Sequence, residues 1–312
     1  MGYSRSSLYV GPARCVFNGV SFYSRGNASL AVDRETFKVG SDAFGDFSTR
    51  SKDVMVKCGV TPDGIWAAGA LPKIWPYGST IPGTNIHGAT DVPLVLHTSA
   101  SELWTVVAAA ITKLPDIFLG NSKTMMGAME FTGVRKDASD FDTADSLYTF
   151  ASTGGAFADA TYASSALKVQ TYTGVWAVVD GFHDFHTQDG WTISFDLGVD
   201  PVPLESIGSV MHLFQRVGVM AKCKPLGPTP AQIIAAQKIQ GDGALGHGEE
   251  LGQGDLVITG KDASTVITLK NAGLVTAGYQ FGTNVLRQGE LGWVANRSVA
   301  LGTLGALWTL AA

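Results

Sequence analysis

The segment Val54-Met55-Val56-Lys57-Cys58 returns almost intact as Val219-Met220-Ala221-Lys222-Cys223, and a Thr-Pro pair follows each, Thr61-Pro62 and Thr229-Pro230. No other feature constrains the fold as strongly, because a chain written twice folds as two like units and an overlooked repeat misassigns the whole architecture. Further landmarks recur in the same order. Asn18-Gly19-Val20 aligns with Asp180-Gly181-Phe182, Leu94 to Thr98 with Leu256 to Gly260, and Gly127 to Phe131 with Gly289 to Trp293, each at an offset of 162 residues. Leu147 to Ala151 aligns with Leu307 to Ala311 at 160, against 165 for the opening echo. The expected organisation is a first unit over residues 1–151, a linker over 152–172 and a second unit over 173–312.

The echo alternates at strand period. Val54, Val56 and Cys58 share one face with Met55 and Lys57 opposite, and Val219, Ala221 and Cys223 repeat the apolar face in the twin. Upstream, Ala13 to Arg25 reads as a strand interrupted by a tight turn at Asn18-Gly19, and Ser29 to Lys38 as another. Gly40 to Lys52, with Gly, Ser, Asp and Arg around Phe44 and Phe47, reads as a long exposed loop. Both Thr-Pro pairs read as helix starts, Thr capping free N–H groups and Pro preset for the first helical position. Ala231 to Gln240 is the clearest helix; its counterpart is expected to be short, since Gly69, Pro72 and Pro76 interrupt it. Gly/Pro-rich excursions follow at Tyr77 to Thr90 and Gly241 to Gly254. Hairpins are then expected at Pro93–Thr98 with Glu102–Thr112, turning through Ser99 to Ser101, and in the twin through Lys261 to Ala263. Met125 to Val134 and Leu286 to Val294 supply one more strand each, and Ser152 to Gln170, rich in Ser, Ala, Gly and Thr, reads as the linker. The fold class is therefore mainly β (α+β), with one flanking helix per unit.

Composition narrows the function. A formal net charge of −5 argues against gripping nucleic acid through its phosphates, which needs clustered Lys and Arg. Cys15, Cys58 and Cys223 are too scattered for a disulfide scaffold or a zinc site and read as buried thiols. The N-terminus shows no basic segment followed by an apolar core, so assembly in a reducing cytoplasm is expected. The apolar stretch Val299 to Ala312 is shorter than the roughly 20 residues a spanning helix needs and reads as a core strand.

No catalytic reading rises above background. Gly241 to Gly246 fits GxGxxG, but it follows a helix, whereas the phosphate-cradling motif follows a strand. His183-Asp184-Phe185-His186 suggests a metal, yet neighbours on a strand point to opposite faces, so strand-edge polar residues are favoured. His247 with Glu249 and Glu250 carries the same low weight. Ser165-Ala166-Leu167-Lys168 matches SxxK without its companion elements. Asn27-Ala28-Ser29 and Asn296-Arg297-Ser298 are sequons without secretion. No carboxylate pair stands out as a dyad. The expectation is a protein with no enzymatic activity, metal or cofactor.

The run from Gly11-Pro12 through Phe17-Asn18-Gly19-Val20 to Val54–Cys58 and Thr61-Pro62 resembles the tail tube (major tail) proteins of long-tailed bacteriophages. Leu94 to Thr98, Ile111-Thr112-Lys113-Leu114-Pro115 and Gly127-Ala128-Met129-Glu130-Phe131-Thr132-Gly133 extend the likeness over about half of the chain. The resemblance implies stacked rings in which six β-sandwich-like or half-barrel units, each with a helix on its flank, line a continuous barrel that conducts the genome during ejection. A duplicated chain then needs three subunits per ring, a homotrimer with pseudo-sixfold symmetry. It further implies that Gly40 to Lys52 reaches the adjacent ring, making Asp42, Phe44, Asp46, Phe47, Arg50 and Lys52 candidates for inter-ring contact. The second copy's equivalent, Gly198 to Gly208, reads as shorter and carries Pro201 and Pro203. Lys57 and Lys222 are candidates for the lumen or a subunit interface. Implied partners are the chain itself, tail completion and tail-end proteins, and, within the lumen, the tape measure protein and DNA; no membrane is implied. Localisation is the virion tail, after assembly in the host cytoplasm. Rival readings are a ring protein of the tail end or of a contractile injection machine, and a carbohydrate-binding virion module. The last needs exposed Trp beside paired carboxylates, whereas Trp66, Trp75, Trp104, Trp176, Trp191, Trp293 and Trp308 read as core.

Overall fold

Asn18 (φ 48°) and Gly19 (φ 74°) fold β1 (Arg14–Phe17) back onto β2 (Val20–Tyr23), placing Phe17 opposite Val20. Two successive positive φ values are what a type I′ hairpin turn requires, and Asn-Gly adopts them at the least cost. The computed structural model describes residues 13–26, 28–42, 45–62, 92–98, 101–121, 125–134, 147–154, 167–179, 182–204, 208–237, 252–279, 288–296, 299–300, 303–304 and 307–311. The fold is mainly β, with two large sheets, one of them a half-barrel, and a single helix among these residues.

The first sheet runs on through β3 (Ser29–Ser41), β4 (Gly45–Val60), β5 (Val92–His97), β6 (Leu103–Lys113), β9 (Met129–Gly133) and β10 (Tyr148–Ala151). The second contains β11 (Tyr172–Trp176), β12 (His186–Leu204), β13 (Gly208–Leu226), β14 (Gln253–Gly260), β15 (Val266–Tyr279), β16 (Gln288–Val294) and β19 (Trp308–Ala311). Between β9 and β6 in the chain lie the short strands β7 (Ile117–Leu119) and β8 (Met125–Met126), and β17 (Val299–Ala300) pairs only with β18 (Thr303–Leu304). The orders β1-β5-β6-β9-β4-β3 and β11-β14-β15-β16-β13-β12 correspond strand for strand, and β19 sits on β15 as β10 sits on β6. The duplication seen in the sequence is thus a duplication of topology.

Pairing registers refine the alignment. Leu94 faces Phe17 and Leu256 faces Trp176, so Trp176 stands in the position of Phe17. Tyr148 faces Val106 and Trp308 faces Leu269, which reproduces the 160-residue offset at the end of each copy. The opening echo, however, is two residues out of structural register. Phe131 lies opposite Cys58, but Trp293 lies opposite Ala221, so Ala221 takes the place of Cys58, Val219 that of Val56 and Cys223 that of Val60. A slip of two is one full strand period, which leaves every side chain on its expected face. Val56, Cys58, Val219, Ala221 and Cys223 are all buried.

The same slip corrects the Thr-Pro reading. Pro62 bridges to Ser24 with the Arg25 N–H donating to the Thr61 carbonyl, in the position where Pro225 faces Thr187 in the second copy. Thr61-Pro62 therefore ends a strand, and the residues expected to form the first copy's helix lie outside the described ones. Thr229-Pro230 does start a helix, α1 (Pro230–Gln237). Thr229 Oγ1 accepts from the Gln232 N–H (3.3 Å) while Gln232 Oε1 accepts from the Thr229 N–H (2.7 Å), a reciprocal capping box.

Within Gly40 to Lys52, where the sequence suggested an irregular loop, residues 40–41 and 45–52 form the outer half of a two-stranded arm, β3 folded onto β4. The second copy builds the same arm from β12 and β13. Ser41 lies eleven residues beyond Leu30, and Leu204 eleven beyond Ile193, so the second arm is as long as the first, contrary to the shorter segment expected from its prolines. Bulges even fall at matching places, after Glu35 and Gly198 and again after Val39 and Val202.

One segment departs from the division into units. After β6, Pro115 offers no backbone donor, and the chain leaves the first sheet so that β7 pairs with β12 at Trp191 to Ile193. Gly190 (φ 85°) allows the approach, since a Cβ there would collide with the Leu119 carbonyl oxygen. The end of the linker is tied to the same place: the Gln170 N–H donates to the Gly120 carbonyl, and the Lys168 ammonium contacts Asp262 at 3.0 Å. One continuous apolar core follows, with Ile117 and Leu119 buried between the two sheets' residues.

Candidate assembly interface

The two arms are built alike and sit in different surroundings. The second arm lies over the outer face of the first sheet, where Met55, Lys57 and Thr132 face Val199, Pro201 and His212 across a cleft of about 690 Å³. Near its tip Ser209 donates to Asp53 twice, from the backbone N–H (2.9 Å) and from Oγ (2.6 Å). Ser209, Val210 and His212 are buried as a result. The matching residues of the first arm, by pairing register, are Asp46, Phe47 and Thr49, and all three are exposed. Phe47 is 64% exposed where Val210 is 7% exposed. Phe37 and Val32 on β3 are exposed as well. A two-stranded ribbon with water on both faces is marginally stable alone and presents an unpaired edge.

Of the inter-ring candidates, Asp42, Asp46, Phe47 and Arg50 are therefore exposed along this arm. Lys52 is the extra residue of a bulge in β4, and Phe44 lies outside the described residues. Asp46 forms an ion pair with Lys38 (2.7 Å). Lys57 and Lys222 are not structural twins, since Met220 takes the position of Lys57 and Gly59 that of Lys222. Lys57 lines the cleft and donates to Asp33 at 2.6 Å, a contact that holds the Asp33 carboxyl below its ordinary range. Lys222 contacts Glu290 at 3.4 Å. Both lysines project from the face opposite the core, as their alternation suggested.

Sequence reasoning missed an apolar surface on the second sheet. Where the first sheet's outer face carries Lys57, Thr112, Glu130 and Thr132, the second carries Met220, Val275, Gly292 and Val294 at the same pairing positions. The polar face receives the polar arm tip. Among the described residues the apolar face is partly open, with Val275 47% exposed and Met220 and Val294 half-buried. The signal was present in the repeat at offsets of 162 and 163, but for Lys57 and Met220 the stronger echo at 165 concealed it.

The rejected motifs sit as follows. Phe185 is a buried anchor bridged to Gly174, while His183, Asp184 and His186 are exposed around it. Lys168 pairs with Asp262; Ser165 and the Gly241 to Glu250 stretch lie outside the described residues. Among the described residues no three His, Cys, Asp or Glu side chains gather as a metal site, and no helix is long and apolar enough to cross a membrane. All three cysteines are buried free thiols, and burial pushes Cys58 up to about 12. Trp176, Trp191 and Trp293 are fully buried and Trp308 nearly so. Neither a scan against protein-family models nor a search of curated proteins finds a match for this chain.

Proposed function

We propose that the chain is a structural subunit of a phage tail tube, assembling as three copies per ring with pseudo-sixfold symmetry, and that it guides DNA without catalysis. The observation that supports this most is a pair of β units that share the order of their six central strands, fused in one chain, with one arm seated on its sister unit and its twin bare. A fused pair with one contact satisfied and one open can repeat that contact head to tail, and such a heterologous contact makes a ring where its rotation closes. The tail-tube resemblance supplies the kind of ring. A net charge of −5 suits a channel whose wall does not retain phosphates.

Negative-stain microscopy of the purified protein tests the reading. Long tubes with threefold end-on symmetry are expected. Isolated rings that never stack would favour a tail-end role, and sixfold symmetry with six whole chains would sink the duplication argument. In the tube reading, exposed residues of the first arm also contact the adjacent ring, and Arg50→Glu is expected to shorten tubes while rings persist.

A further inference from the structure

We infer that the bare first arm docks on the outer face of the second sheet of another copy of this chain, through an ion pair between Asp46 and Arg216 with Phe47 packed beside it. The inference rests on self-assembly as in the proposed function but not on passage of DNA.

The argument starts from the contact already made inside the chain. Ser209, near the tip of the second arm, donates to Asp53 of the first copy. Pairing registers translate both partners. Asp46 holds the place of Ser209, each just inside the last bulge of its arm, opposite Gly40 and Pro203 respectively. Arg216 holds the place of Asp53, opposite Gly198 as Asp53 is opposite Glu35. A hydroxyl meeting a carboxylate within the chain thus becomes, between chains, a carboxylate meeting a guanidinium. Both charges are exposed here, Asp46 against Lys38 and Arg216 against Asp196 (3.2 Å).

Apolar complementarity agrees with the charges. Val210, beside Ser209, is 7% exposed, and its counterpart Phe47 is 64% exposed. The face that receives the arm has exchanged Lys57, Thr112 and Thr132 for Met220, Val275 and Val294. The larger apolar residue is thus on the arm that is open, and the more apolar face is on the sheet that the second arm leaves free. The first arm does not lie on its own second sheet, since Phe47 is 64% and Val275 47% exposed, so the occupant is another chain. This assigns Asp46 and Phe47 to the contact between neighbours within a ring and leaves the other arm residues for stacking.

The test uses the full chain and reads its oligomeric state by light scattering and native mass spectrometry over a range of concentrations. Asp46→Arg and Arg216→Asp singly are expected to weaken association about tenfold or more, since like charges then face each other, and the double exchange is expected to recover most of that loss. Phe47→Ser is expected to leave a folded monomer, with unchanged circular dichroism and thermal unfolding because the residue is exposed. Normal rings from Phe47→Ser, or a double exchange no better than the singles, would overturn the inference even if tubes still form. Rings that obey the charge exchange but never stack would leave it standing and count against the tube. A wild-type chain that stays monomeric at every concentration would overturn both.

Discussion

In the first copy the central ring pair is Phe17 and Phe131, 4.8 Å between centroids, whereas the same two positions in the second copy hold Trp176 and Trp293, joined by Phe182, Phe185 and Trp191. The extra volume is accommodated locally. Gly174 stands where the first copy has Cys15, and a Cβ on it would run into the rings of Trp191 and Phe185. Trp191 in turn occupies the position of Ala28, so a large side chain on β12 takes the space that a thiol on β1 fills in the first copy. Identical strand order with exchanged core volumes shows that pairing and alternation define this fold, while core identity is adjustable provided the sum fills the space.

The comparison can be broken most directly at its aromatic centre. Trp293→Ala is expected to cost about 3–5 kcal/mol in urea unfolding, and Phe131→Ala a similar or smaller amount. Because the sheets share one core, a single transition is expected for both variants. The thiols provide the readout: Cys15 and Cys58 in one copy and Cys223 in the other should react with a pulse of alkylating reagent at the same urea concentration, and staggered labelling would show that the copies unfold separately.

Ile117→Ala sharpens the same question from the shared strand. Its cost is expected at about 2–5 kcal/mol, because Ile117 is fully buried. Although Ile117 belongs to the first copy by sequence, hydrogen exchange should accelerate in β12 and β13 as well as in β6 and β9. Acceleration confined to β6 and β9 would mean that β7 contributes little to the second sheet.

The helix cap distinguishes the true Thr-Pro start from its imitation. Thr229→Ala is expected to cost about 1 kcal/mol of thermal stability through loss of the capping box. Thr61→Ala removes no such cap and should change the melting temperature less; an equal loss would argue against the register described here.

The smallest effect belongs to the β14–β15 turn, where Lys168 and Ser264 hold Asp262 well below the usual carboxylate range. A depressed folded pKa contributes stability that is present above the unfolded carboxylate value and is lost only as pH falls through the lower folded one. Thermal unfolding of the wild type should therefore decline more steeply than that of Asp262→Asn in acid below the ordinary carboxylate range, with the two converging there. The first copy carries Ala100 at the sequence position of Asp262.

Much of this architecture was legible because strand period and repeats survive in one dimension. Leu94–Thr98 against Leu256–Gly260, and Leu147–Ala151 against Leu307–Ala311, fell at offsets that the pairings reproduce. Asn18-Gly19 announced its turn through backbone preference. The outer half of the first arm was misread as a loop because an exposed ribbon lacks the apolar alternation that marks a half-buried strand: the start of β4 carries Asp46, Ser48, Thr49, Arg50, Ser51 and Lys52 around a single Phe47. The slip of two at Val54–Cys58 was invisible for a different reason. Strand alternation is unchanged by it, so only the neighbours across the sheet reveal which residue is equivalent to which. The docking face escaped notice because it is assembled from β13, β15 and β16, whose closeness follows from pairing rather than sequence.

The seating of β7 on β12 has a kinetic consequence. Two units joined through a shared strand meet at an effective concentration set by the chain itself, whatever the amount of protein in solution. In the proposed ring, three such chains would come together in two encounters where six separate units would need five. Its formation should depend on concentration with a correspondingly lower order, so that rings appear early, while subunits are still scarce.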